Sequence, residues 1–201
     1  MTLGDSLAYG TGDESGRGLA ARLADQLEAR GIDAQTVNLG VSGAQTVDLI
    51  DRLKQQRRDL IRGAGAIVLS IGANDLFRTP MGRAEAMRAP LAVAERILNR
   101  IDQIVRELHR IEPAARVFVF GGYNPVPDRP EAPLIEHYLH MWDSALAANF
   151  EDDDRVVVVR LADLVTRQRL SRRDGFHPGG SAYEKMAERI AELLVKESKA
   201  A

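Results

Sequence analysis

The sequence contains no cysteine, no long apolar run and little net charge. The absence of cysteine among 201 residues excludes a disulfide framework, a thiol nucleophile and a cysteine-based zinc site. No stretch approaches the run of about 18 apolar residues that a membrane span requires, so we expect a soluble chain without stable membrane insertion. The formal net charge of −2 supplies no long-range field for nucleic acid, which we therefore do not expect as a partner.

The length of the chain suits one domain over residues 1–201, large enough to bury roughly 70% of its unfolded surface. The first apolar run, residues 1–3, is shorter than the five or six residues that are about usual for a strand. We therefore expect that the N-terminus was trimmed or that a natural leader lies upstream. The compartment stays open between cytoplasmic and extracytoplasmic, and the oligomeric state also stays open.

Apolar runs and helical periodicities alternate along the chain. They predict strands over 1–3, 36–39, 66–71, 117–120 and 156–161, and helices over 17–30, 42–61, 91–111, 133–150 and 181–195. Capping-box patterns, Ser42 with Gln45 and Ser181 with Glu184, predict two of the helix starts. Such alternation is typical of an α/β protein, here a three-layer α/β/α sandwich on a five-stranded, parallel, flavodoxin-like sheet.

Glycine or polar residues follow the end of each predicted strand. They include Ser6, Gly43, Asn74, Tyr123 with Asn124, and Asp174 with His177. Because right-handed crossovers carry all the strands in one direction, every strand exit opens on the same edge of the sheet, where ligands bind in such folds. We therefore expect these residues, which span the whole sequence, to share one rim.

Three residues of this rim have the chemistry of nucleophilic catalysis. A serine hydroxyl such as that of Ser6 needs a general base within hydrogen-bond reach, and the base must be oriented by a third group. His177 and Asp174 can supply both from one loop, because Gly175 between them permits a tight turn that returns the carboxylate to the imidazole. The pattern predicts Ser6 as nucleophile, His177 as base and Asp174 as acid.

The other rim positions are candidates for binding the substrate. A tetrahedral intermediate needs donors to its oxyanion, and the candidates are the Ser6 and Gly43 amides and the Asn74 side chain. The predicted helix start places the Gly43 amide at a helix N-terminus. The candidate substrate-binding residues are Asp5, Phe77, Tyr123 and Asn124. Phe77 belongs to the segment 76–88, which we expect to be irregular and to act as a mobile flap on the acyl pocket, or alternatively to pack into the core.

Other interpretations stay open at this point. The tripeptide of residues 4–6 suits an ordinary turn and helix cap, and Asp174 with His177 could instead bind a metal. His137 and His140 share a predicted helix, but no third ligand accompanies them, which favours a solvated surface. A phosphate-binding loop could use Gly10, Gly12, Gly16 and Gly18. A non-catalytic binding domain with the same architecture is a further alternative.

Four sequence blocks resemble the GDSL/SGNH hydrolases of lysophospholipase and esterase type, in their bacterial lipase/acylhydrolase branch. The blocks are Gly4-Asp5-Ser6-Leu7, Val41-Ser42-Gly43, Gly72-Ala73-Asn74-Asp75 and Asp174-Gly175-Phe176-His177-Pro178, in the family's order. On this resemblance Gly43 is preferred to Gly40 as the oxyanion glycine. The resemblance implies a hydrolase without metal or cofactor that cleaves small-molecule or lipid esters through an acyl-enzyme on Ser6. Thioesters and O-acetylated sugars are the alternative substrates.

Overall fold

The computed structural model describes residues 1–55, 58–77 and 80–198. In these ranges the strands are β1 Thr2–Gly4, β2 Asn38–Gly40, β3 Ala66–Ser70, β4 Arg116–Phe120 and β5 Val156–Val159. They form one sheet in the order β2-β1-β3-β4-β5, and every neighbouring pair is parallel. The predicted five-stranded parallel sheet is therefore confirmed, with β1 and β3 side by side near its centre.

Helices connect the strands and cover both faces of the sheet. They are α1 Ser6–Tyr9, α2 Gly18–Glu28, α3 Thr46–Gln55, α4 Arg58–Ile61, α5 Ala73–Phe77, α6 Pro80–Arg88, α7 Pro90–Ile111, α8 Ala132–Asn149 and α9 Gly180–Ser198, with a 3₁₀ turn at Arg167–Arg169. One core joins the sheet to α3, α7 and α8, and a second joins it to α2 and α9. No helix in the described ranges has the length and apolar character needed to cross a membrane.

The central strand β3 shows why apolar sequence runs form the middle layer. Ile67 and Leu69 belong to the core on the α7 side, whereas Val68 belongs to the core on the α2 and α9 side. All three side chains are buried because helices cover both faces of a parallel sheet. The strand ends at Ser70, and the polar residues Asn74 and Asp75 follow in α5, a few residues beyond its carboxyl end.

The predicted helix start at Ser42 is wrong. Helix α3 begins at Thr46, and the Asp48 carboxylate accepts the Gln45 amide at 2.9 Å, which caps the helix. Residues Val41–Ala44 instead form a turn, closed by the Ala44 amide on the Val41 carbonyl at 3.0 Å. Gly43 has φ of +81°, a left-handed conformation that no α-helix contains, so its amide precedes the helix rather than belonging to its first turn.

The predicted capping box of Ser181 with Glu184 is also wrong, because α9 begins one residue earlier, at Gly180. The Glu184 carboxylate bonds instead to α2, where it accepts from Arg22 Nη1 at 2.8 Å and Gln26 Nε2 at 2.6 Å. A partner distant in sequence thus replaces the local capping contact.

The segment 76–88 is more regular than the sequence predicts. Helix α6 covers Pro80–Arg88, and Pro80 is accommodated because the first turn of a helix does not need its missing amide hydrogen. The prediction of an irregular segment is therefore wrong. The side chains of Phe77 and Met81 lie outside the described part of the structure, so the proposed acyl-chain contacts of this segment stay a prediction.

Candidate active site

Ser6 is presented by a sharp turn at the end of β1. Gly4 has φ of +129°, and a Cβ atom there would lie 1.8 Å from the Ser70 carbonyl oxygen, so only glycine fits. The Asp5 amide donates to that same carbonyl at 2.8 Å, and the Asp5 carboxylate accepts the Leu7 amide at 3.1 Å as the cap of α1. Ser6 is consequently the first residue of α1, directly beyond the carboxyl end of β1.

A closed loop at residues 170–178 presents Asp174 and His177. Leu170 and Pro178 form an antiparallel bridge, and the Ser171 amide donates to the His177 carbonyl at 2.8 Å. Within the loop the Gly175 amide donates to the Ser171 carbonyl, also at 2.8 Å, and Gly175 has φ of +64°. The tight turn expected at Gly175 is present, and it brings Asp174 back beside His177.

The structure brings Ser6, His177 and Asp174 into one hydrogen-bonded chain. His177 Nε2 lies 3.2 Å from Ser6 Oγ, and His177 Nδ1 lies 2.7 Å from Asp174 Oδ2. The other oxygen of Asp174 accepts the Phe176 and His177 amides, both at 2.9 Å. Although burial opposes ionisation, these hydrogen bonds and the His177 ring hold the pKa of Asp174 below its usual range. An ionised Asp174 orients the imidazole so that Nε2 can accept a proton from Ser6.

The loops that follow β1, β2 and β3 are joined beside Ser6. The Val41 amide donates to the Gly4 carbonyl at 2.8 Å. Asn74 Nδ2 donates one of its two hydrogens to the Ala44 carbonyl at 3.0 Å, which ties the third block to the turn that contains Gly43. A Cβ atom on Gly43 would meet nothing within 4 Å. The space beside the Cα atom of Gly43 would therefore accept a side chain without a clash.

Gly40 has a different role from Gly43. A Cβ atom on Gly40 would lie 2.2 Å from the Tyr9 amide nitrogen, so this glycine lets α1 pack directly on β2. Asp75, which follows Asn74, accepts the Thr46 amide at 2.9 Å and holds the start of α3 against α5. Both residues thus shape the loops around Ser6 through packing and anchoring.

Two sequence-predicted substrate contacts, Tyr123 and Asn124, have protein partners in the structure. The Tyr123 hydroxyl donates to the Phe176 carbonyl at 3.1 Å, and burial raises the pKa of this hydroxyl. Asn124 Oδ1 accepts the Val126 amide at 3.0 Å, which closes a local turn. Tyr123 therefore touches the loop that carries His177, and substrate contact by either side chain stays a prediction.

Asp5 is buried, with 2% of its surface exposed, which argues against its predicted contact with substrate. The same carboxylate oxygen that caps α1 accepts from Ser70 Oγ at 2.8 Å. Burial raises the pKa of Asp5 to about 6, against the hydrogen bonds from Ser70 and Leu7. Asp5 thus anchors the turn before Ser6, although burial of its charged carboxylate is unfavourable.

Replacement of Asp5 by asparagine is expected to stabilise the protein at pH 7. The folded state binds the Asp5 proton more tightly than the unfolded chain, so this group lowers stability as the pH rises from about 4 to about 6. Asparagine keeps an acceptor oxygen for Leu7 and Ser70 and carries no charge. We expect the free energy of unfolding at pH 7 to rise by up to about 3 kcal/mol, and the gain to vanish below about pH 4.

Urea unfolding of the wild type and of Asp5→Asn, at pH 7 and below about pH 4, measures this difference in the free energy of unfolding. Asp33→Asn, at an exposed position, is the matched control and should leave the difference near zero at both. A gain for Asp5→Asn that is equal at both pH values would contradict the assignment to desolvation.

The loop 10–18 contributes contacts that the sequence did not reveal. Gly12 lies against His177, because a Cβ atom there would be 2.6 Å from His177 Cβ. The buried Asp13 carboxylate accepts from Arg22, Ser15 and the Gly18 amide. Burial opposes its ionisation, but these bonds, led by Arg22, hold the pKa of Asp13 well below its usual range. A signal for this contact was a charged residue, Arg22, within the apolar periodicity of α2.

These contacts also bear on the alternative of a phosphate-binding loop. The Gly18 amide donates to Asp13 Oδ2 at 2.8 Å, and the Gly10 amide donates to the Ser6 carbonyl at 3.0 Å. A carboxylate thus lies beside one of the glycine amides that this alternative assigns to phosphate.

A second alternative was a metal site. Among the described residues no group of three or more histidine, aspartate or glutamate side chains is arranged to hold a metal ion.

Comparison with known proteins assigns the chain to a family. Residues 2–185 match the model of the GDSL-like lipase/acylhydrolase family, so the chain belongs to this family. The Bacillus subtilis protein YpmR is 27% identical over 207 residues, which cover 97% of this chain and 80% of YpmR.

Solved structures share the fold over nearly the whole chain. A lipase from a goat rumen metagenome superposes with a TM-score of 0.79 at 20% identity, covering 94% of this chain and 95% of the lipase. The esterase EstA from Pseudoalteromonas sp., solved inhibited by monoethylphosphonate, gives 0.65 at 18%, covering 100% and 97%. A Clostridium thermocellum family 3 carbohydrate esterase gives 0.67 at 18%, covering 96% of each chain. The family match and the structural neighbours together support the classification of this chain as a hydrolase.

Proposed function

We propose that this protein is a serine hydrolase that cleaves carboxylic esters through an acyl-enzyme on Ser6. The observation that carries the proposal is the hydrogen-bonded chain from Asp174 through His177 to Ser6, with distances of 2.7 and 3.2 Å. Its geometry is that of a nucleophile, a general base and a group that orients the base. Membership of a lipase/acylhydrolase family agrees with this chemistry.

In the first half-reaction Ser6 Oγ attacks the ester carbonyl while its proton moves to His177 Nε2. The Asp174 carboxylate stabilises the imidazolium that forms, and it stays ionised itself. The Ser6 and Gly43 amides and the second hydrogen of Asn74 Nδ2 stabilise the oxyanion of the tetrahedral intermediate. His177 then returns the proton to the leaving alcohol, which leaves an ester on Ser6.

In the second half-reaction water attacks the acyl-enzyme. His177 accepts a proton from this water and returns it to Ser6 Oγ when the carboxylic acid leaves. Every proton moves between the substrate, water, Ser6 and His177, so the proton transfers of the two half-reactions balance.

A phosphonate probe tests the proposal, because it forms a stable bond to an activated serine. Ser6 Oγ should form a bond to phosphorus and displace the leaving group of the probe. We expect the intact protein to gain the mass of one phosphonyl group, located by peptide mapping on the peptide that contains Ser6. Ser6→Ala should remain unlabelled, and Ser144→Ala, which changes an exposed serine on α8, should label like the wild type. An unlabelled, folded wild type would contradict the proposal and would favour a non-catalytic binding domain.

A further inference from the structure

Glu14 bonds to backbone amides on both sides of the pair Asp174 and His177. One oxygen of its carboxylate accepts the Arg172 amide at 2.8 Å, and the other accepts the Gly180 amide at 2.9 Å. The Glu14 backbone carbonyl accepts from Arg173 Nη2 at 2.7 Å. Asp174 and His177 lie between the two residues whose amides the carboxylate binds, so Glu14 bridges the segment that presents them.

We propose that Glu14 is a positioning residue, whose carboxylate fixes the loop at residues 170–178 so that His177 Nε2 stays within reach of Ser6 Oγ. This inference rests on the proposed function, because it assigns Glu14 a role in the same reaction. Glu14 does not touch the reacting atoms; it acts through His177.

The chemistry of the contact explains why a carboxylate is needed. Two acceptor oxygens on one rigid group bind two amides that are eight residues apart in sequence, and this fixes the distance between them. Gly180 is the first residue of α9, a 19-residue helix, so the negative charge also lies at the positive end of the helix dipole. The bonds from Gly180 and Arg172 hold the pKa of Glu14 below its usual range. An ordinary glutamate is already ionised at neutral pH, so both carboxylate oxygens are acceptors.

The loop that carries Glu14 also contacts the base directly. Gly12, two residues before Glu14, has φ of +93° and packs so closely that a Cβ atom would lie 2.6 Å from His177 Cβ and 2.6 Å from the Pro178 carbonyl. The hydroxyl of the buried Tyr183 on α9 holds this same loop by donating to the Thr11 carbonyl at 2.7 Å. The loop is thus fixed on α9. Because Gly12 packs against His177, a displacement of the loop at Glu14 would also displace His177.

Steady-state kinetics of Glu14→Ala and Glu14→Gln on a p-nitrophenyl ester test the inference. Glu14→Ala should lower kcat by about 10- to 100-fold, since small errors in the position of a catalytic group have effects of this size, and should leave KM within about twofold. Glu14→Gln should lie between it and the wild type, because glutamine keeps one acceptor oxygen. Labelling of Ser6 by the phosphonate should slow by the same factors.

Glu28→Gln, which alters an exposed carboxylate at the end of α2, is the control and should be indistinguishable from the wild type. Amide hydrogen exchange at Arg172 and Gly180 should speed up in both Glu14 variants, and their melting curves should stay cooperative. A wild-type kcat in Glu14→Ala, or a loss confined to KM, would overturn the role of Glu14. An inactive and unlabelled wild type would overturn the proposed function first, and the role of Glu14 with it.

Discussion

Replacement of Ser6 by alanine, or of His177 by alanine, is expected to remove nearly all ester turnover. In a unit of nucleophile, base and acid, the loss of the nucleophile or the base lowers kcat by about five to six powers of ten. The structure gives the reason. In the hydrogen-bonded series Asp174–His177–Ser6, the group within reach of the Ser6 hydroxyl proton is His177 Nε2, which lies 3.2 Å from Ser6 Oγ. Turnover of a p-nitrophenyl ester measures the effect.

The double variant separates a shared mechanism from two independent roles. If Ser6 and His177 act in one step, the double variant should lose little more than either single variant. A loss equal to the product of the two single losses would contradict the proposed mechanism. Ser144→Ala serves as the control, and unfolding midpoints should change little in all of these variants, because both substitutions lie at the rim and outside the two cores.

Replacement of Asn74 by alanine is the prediction with the next largest effect. Loss of one oxyanion donor is expected to lower kcat by about 10²- to 10³-fold, with a smaller change in KM. The structure adds a second cause, because Asn74 Nδ2 also holds the turn that contains Gly43 through the Ala44 carbonyl. One substitution therefore removes a donor and releases the neighbouring one.

Measurement of kcat and KM for Asn74→Ala and for Asn149→Ala, an exposed asparagine at the end of α8, tests this prediction. The control should match the wild type in both constants. An effect of Asn74→Ala on KM alone would reassign this residue to substrate binding.

The alternation of apolar runs with helical periods was enough to predict the sheet. Residues 66–69 are apolar without interruption, which is possible for a strand with helices on both faces, and the structure has β3 at Ala66–Ser70. Because a parallel sheet directs all its strands to the same edge, the sequence also predicted which residues share the rim. This prediction depends on the direction of each strand, which follows from the alternation of strands and helices in the sequence. It does not depend on any interatomic distance.

Local capping patterns were a poorer guide. Ser42 and Ser181 both occupy sequence positions that favour a helix cap, yet α3 begins at Thr46 and α9 at Gly180. A capping box contributes about 1 kcal/mol, which a few tertiary contacts exceed. At Glu184 the competing contact is the pair of hydrogen bonds to α2, which involves residues more than 150 positions away.

The sequence by itself determined the fold class, and it predicted that Ser6, His177 and Asp174 would lie within hydrogen-bond reach of one another, as they do in the structure. Only the tertiary structure decided how these residues are held. The burial of Asp5, the contact of Gly12 with His177 and the bridge made by Glu14 join segments that are distant in sequence. Periodicity and motif spacing report on neighbours within a few turns of chain, whereas pKa values and hydrogen-bond partners depend on every group that folding brings into contact.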